Sequence, residues 1–80
     1  MDRDNQPLRL EEAKMQKLRG LANLTVALLY QADLTLGDAQ KLISQTRAKA
    51  LKLFPGKADT FDLIYGSRFR RILVERYRLQ

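Results

Sequence analysis

Eighty residues allow a single domain, and 15 lysines and arginines against 9 acids leave it with a net charge of +6. Cysteine and histidine are both absent, which excludes a disulfide framework, thiolate or imidazole metal sites, and a histidine acting as general base or pH switch. A chain of this size buries only about 60 to 65% of the surface that its unfolded form exposes, so its core is thin and burial against a partner is a natural supplement.

Residues 1–7 are polar, mixed in charge and end in Pro7; they are expected to be a flexible lead to one helical domain over residues 8–80. This lead has no apolar stretch of the kind that opens a secretory signal. The longest uncharged run is the 13 residues between Arg19 and Asp33, short of the roughly 20 that a helix needs to cross a bilayer. A cytoplasmic location without membrane contact is the expectation.

The first helix should begin after Pro7, with Glu11 and Glu12 where the helix dipole favours negative charge. Leu18, Leu21, Ala22, Thr25, Leu28, Leu29 and Ala32 recur at three- and four-residue spacing and define its buried face. Gly20 weakens this helix without ending it. After the break at residues 32–34, Thr35 reads as an N-cap with Asp38 three positions on. Helix two then runs from about Leu36 to Phe54, with Ala39, Leu42, Ile43, Thr46, Ala50, Leu53 and Phe54 as its stripe.

Pro55 and Gly56 stop helix two. Asp59 or Thr60 is expected to cap helix three, whose stripe is Phe61, Ile64, Tyr65, Phe69, Ile72 and Leu73 and whose end lies near Tyr77. Gly66 inside this helix suggests another helix packed closely against it, or an anion site formed beside it by Arg70 and Arg71. The apolar run from Leu24 to Tyr30 lacks the alternation of a strand. The fold class that follows is all-α: a small antiparallel three-helix bundle with Leu18, Leu28, Leu29, Leu42, Ile43, Phe54, Phe61, Tyr65, Phe69 and Ile72 in one core.

Two surfaces remain. Leu24, Ala27 and Tyr30 lie away from the expected buried face of helix one, a second apolar stripe that one small core cannot easily cover. A two-fold homodimer through these residues is expected to hide it. Residues 1–38 carry a net −1 and residues 39–80 a net +7. Helix two has no acid after Asp38, and Lys41, Gln45, Lys49 and Lys52 share the side opposite its stripe. With Arg70 and Arg71, those lysines are the candidate contacts to a nucleic-acid phosphate backbone or to an acidic partner. Along helix three, Arg71 with Glu75 and Glu75 with Arg78 are spaced to pair.

Catalytic patterns fail in detail. Gly56-Lys57 resembles part of a phosphate loop, but Leu51 stands where the first glycine is needed and Ala58 where a hydroxyl should hold magnesium. Asp2 and Asp4 lack the glycine and closing glutamate of a calcium loop. Lys41 and Ser44 could form a Ser-Lys nucleophile only with a cleft and further acid–base groups around them. Helix two is also too long for the first helix of a helix-turn-helix. The chain is therefore expected to be a non-enzymatic protein–protein interaction module that associates with itself and takes no cofactor, metal or small-molecule substrate. The second reading is a basic nucleic-acid-binding accessory protein.

Overall fold

The computed structural model describes the backbone of residues 2–78 and side chains from residue 9 to residue 78. Three helical rods and no strand make up the described residues. α1 spans Asp2–Gln31 and α2 spans Leu36–Leu53. α3 (Ala58–Phe61), a π-helical turn (Asp62–Gly66) and α4 (Ser67–Tyr77) follow one another without leaving helical geometry and form the third rod. The rods run up, down and up, as short connections require.

α1 starts at Asp2, ahead of the expected start after Pro7, so the polar lead is helical backbone from its second residue; Met1 lies outside the described residues. Pro7 sits past the opening turn, where its nitrogen cannot donate the usual bond to a carbonyl four residues back. α2 opens as its sequence indicates: the Asp38 amide donates to Thr35 Oγ1 at 3.1 Å. It closes with the Phe54 amide bonded to the Ala50 carbonyl at 2.9 Å, and Gly56 turns the chain at φ 81°. The third rod begins earlier than expected. Lys57 is its N-cap, without a side-chain bond, while Asp59 falls inside the first turn and Thr60 one residue further on. The turn at Gly56 delivers the chain directly into helical geometry, and the Phe61 amide bonds the Lys57 carbonyl at 2.9 Å.

The seam between α1 and α2 is built from small residues, Ala22 and Thr25 against Ala39, Thr46 and Ala50, all buried. Small side chains let the two axes approach closely. At its centre Thr25 Oγ1 and Thr46 Oγ1 lie 2.6 Å apart, and each also lies within 2.9 Å of a carbonyl one turn back, Leu21 and Leu42 respectively. Two hydroxyl protons cannot make all three bonds. One threonine therefore donates to the other, which donates to its own helix. The third rod seals the seam with Phe61, Phe69, Ile72 and Leu73. Phe69 and Leu29 are fully enclosed, and each contributes about 2 to 3 kcal/mol by leaving water.

Of the expected core residues, Leu18, Leu29, Phe61, Phe69 and Ile72 are buried, and Leu42, Ile43, Phe54 and Tyr65 pack against them partly buried. Leu28 is a correction: it is 36% exposed. Small residues at the seam narrow the buried arc of α1, and Leu28 falls at its edge. Gly66 is another. The nearest atoms to a Cβ built there belong to Asp62 and Phe61 of its own rod, at 3.6 to 4.0 Å, so no other helix packs on it.

The candidate interaction surface

The third rod covers one side of the α1–α2 pair and leaves the other side open. There Lys17, Gly20, Leu21 and Leu24 of α1 face Lys49, Lys52 and Leu53 of α2 across an open groove of about 500 Å³. The α1 members fall at i, i+3, i+4 and i+7, one straight strip along a helix. Leu28 continues it one turn beyond Leu24, which is itself 58% exposed. The floor is apolar, three lysines stand on the two walls, and among the described residues no acid lines it.

The residues expected at an oligomer interface lie on successive turns of α1, with Leu24 and Tyr30 exposed. Leu24 lines the groove, Ala27 is half-buried between it and Tyr30, and Tyr30 leans toward the third rod. About 120° of helix separates Leu24 from Tyr30. The Tyr30 hydroxyl donates to Glu75 Oε2 at 3.3 Å, which ties this 46%-exposed ring to the third rod. Lys17, Gly20, Leu21, Leu28 and Leu53 were not singled out as surface residues by sequence. Their spacing was visible, but only the position of α2 tells which flank of α1 is left uncovered.

The expected basic residues are exposed, yet they divide between two helices. Lys49 and Lys52 belong to the groove; Lys41 lies further along α2; Arg70 and Arg71 stand on α4, outside the groove. Other arginines of the basic half have structural partners. Arg47 forks onto Asp62, with Nε to Oδ1 at 2.8 Å and Nη2 to Oδ2 at 3.0 Å. Each side raises or lowers the other accordingly: the hydrogen bond from Arg47 holds the Asp62 carboxyl below its usual range, and the same bond raises the guanidinium. Arg68 lies over the Tyr65 ring, 5.7 Å from its centroid. Arg76 donates to the Tyr30 carbonyl at 2.7 Å and the Ala32 carbonyl at 3.3 Å.

The pairs expected along helix three are not formed among the described residues. Glu75 accepts from Tyr30 instead of Arg71, and Arg78 has turned into the left-handed region at φ 53°, past the end of α4.

A second cleft, of about 320 Å³, opens at the far end of the core between Met15, Leu18, Phe54, Phe61, Ile64 and Tyr65. Among the described residues its charged lining is Glu11 and Lys57, one of each sign, which selects no ligand charge. Among the described residues, no three histidine, cysteine, aspartate or glutamate side chains are grouped to hold a metal ion, and no helix is long and apolar enough to cross a membrane. No protein-family model matches the chain, and neither the curated proteins nor the solved structures contain a significant match to it.

Proposed function

We propose that this chain is a non-enzymatic helical interaction module whose docking face is the groove between α1 and α2. The observation that carries the reading is the leucine strip of half-buried Leu21 and exposed Leu24, which line the open groove, with exposed Leu28 one turn beyond it. Surface leucines standing alone need no explanation, whereas a lined strip with room for a partner does. Self-association through Leu24, Ala27 and Tyr30 is the less favoured form of this reading. A second copy would bring an equally basic groove against Lys17, Lys49 and Lys52, and Tyr30 is already engaged with Glu75.

A photo-crosslinking residue at position 24, compared with one at exposed Glu12, tests the proposal in the cell that makes the protein. A discrete protein adduct from position 24 and none from position 12 is expected. Equal adducts from both, or none from either, overturns it. Nucleic-acid binding through Lys41, Lys49, Lys52, Arg70 and Arg71 is the second reading, favoured by the exposure of all five. An electrophoretic shift with random duplex DNA and single-stranded RNA that fades steeply with salt would support it, because phosphate contacts release counterions.

A further inference from the structure

We infer that the groove receives an acidic amphipathic helix, which packs on α1 and α2 as a fourth rod on the side that the third rod leaves open. The inference rests on the interaction-module reading and adds the chemistry of the partner.

Gly20 is the first argument. A glycine inside a helix is less favourable than alanine by about 1 kcal/mol, and here nothing among the described residues requires it. Its φ is not positive, and among the described residues no atom lies within 4 Å of the Cβ it lacks. Neither backbone conformation nor internal packing accounts for the residue. What the missing side chain does is lower the groove floor between Lys17, Leu21 and Leu24, where a neighbouring helix axis could come close.

Shape is the second argument. The valley lies between two antiparallel helices, and its α1 wall is a strip at helical spacing, the complement of another helix's apolar stripe. The lined stretch runs from Lys17 to Leu24 on α1 and from Lys49 to Leu53 on α2, about 10 Å along α1, so about two to three turns of a partner helix would lie in it and its remaining turns would extend beyond.

Charge is the third, and it selects the occupant. Lys17 on one wall and Lys49 and Lys52 on the other can lay their methylene stems along the leucines and hold their ammonium groups at the rim. A helix whose leucine stripe is bordered by glutamate or aspartate meets opposite charge on both sides. A second copy of this chain meets its own sign.

The test uses the full chain and two labelled synthetic 18-residue helical peptides, followed by fluorescence anisotropy. One carries leucines at i, i+3, i+4 and i+7 bordered by glutamates; the other has lysines in place of the glutamates. The acidic peptide is expected to bind at least ten-fold more tightly, and Lys49→Glu with Lys52→Glu to reverse that order. Gly20→Leu is expected to raise the thermal midpoint and yet weaken the acidic peptide at least ten-fold, a combination that damage to the fold cannot produce. Leu24→Glu, at an exposed position, should weaken it as well and serves if Gly20→Leu does not fold.

Equal affinity for both peptides, or unaltered binding by Gly20→Leu and Leu24→Glu, overturns the inference. So does binding to phosphatidylglycerol vesicles without binding to the acidic peptide, or a dimer in sedimentation that Gly20→Leu dissolves. A discrete adduct from position 24 together with no preference for the acidic peptide would leave the module reading standing and remove only this partner chemistry.

Discussion

Two side-chain pairs show what single residues contribute to this small fold. Thr25 and Thr46 form the buried polar contact between α1 and α2, and with their own carbonyls they leave no orphaned group. Thr46→Val should lose about 1 kcal/mol of stability. The double variant with Thr25→Val should lose less than the two single losses added together, because removing both partners leaves no hydroxyl seeking the other. Urea midpoints of the four proteins check this, and strict additivity would show that the contact carries no coupling. Arg47 and Asp62 make a different kind of pair, about half exposed on each side and correspondingly weak in water. Since the hydrogen bond from Arg47 holds the folded carboxyl below its ordinary value of 3.8, its contribution is present above that value and disappears as pH falls through the lower folded one. Thermal midpoints followed from pH 6 down past 3.8 should fall slightly more steeply for the native chain than for Asp62→Asn.

At the scale of elements, the end of α1 is held from outside. Its last turn contains no basic residue of its own, and the cation that suits the negative end of its dipole comes from the third rod, as Arg76 bonding the Tyr30 and Ala32 carbonyls. Tyr77 adds a bond to the Leu34 carbonyl at 2.6 Å. Together these contacts fasten the end of α4 over the α1–α2 connection. Arg76→Ala should lower stability by about 1 kcal/mol in chemical denaturation. Arg76→Lys should recover only part of that, because a single ammonium cannot reproduce the guanidinium fork. No loss in the alanine variant would mean that water satisfies these carbonyls equally well. The π-helical turn at Asp62–Gly66 has its own lock, since Arg47 of α2 grips Asp62 at its start. Neither contact was legible in the sequence. Arg76 and Tyr30 are 46 residues apart, and local spacing favoured Glu75 with Arg71 or Arg78 instead.

At the scale of the whole molecule, the body is an elongated 53 × 23 × 16 Å, led by α1, whose 30 residues reach about 45 Å. Stability for 80 residues is expected near 4 to 12 kcal/mol, so the two leucine populations of α1 should respond very differently. Leu29→Ala, at full burial, should cost about 2 to 5 kcal/mol. Leu24→Glu should stay within about 0.5 kcal/mol of the native chain, because its site faces water. Thermal melts decide this, and a large loss at Leu24 would place that residue inside a stabilising interface.

The sequence by itself determined that there are three helical rods, the Thr35 cap, the stop at Pro55 and Gly56, and most of the core, because these depend on local propensity and on periodicity within one segment, though not where the first and third rods begin. Tertiary structure alone decided which flank of α1 stays open, that Leu28 lies outside the core and Tyr30 turns to Glu75, and that Lys17, Gly20 and Lys49 share one groove. A helix presents every flank alike until its neighbours dock, and the small residues of the α1–α2 seam set how close they come and which leucines they leave in water.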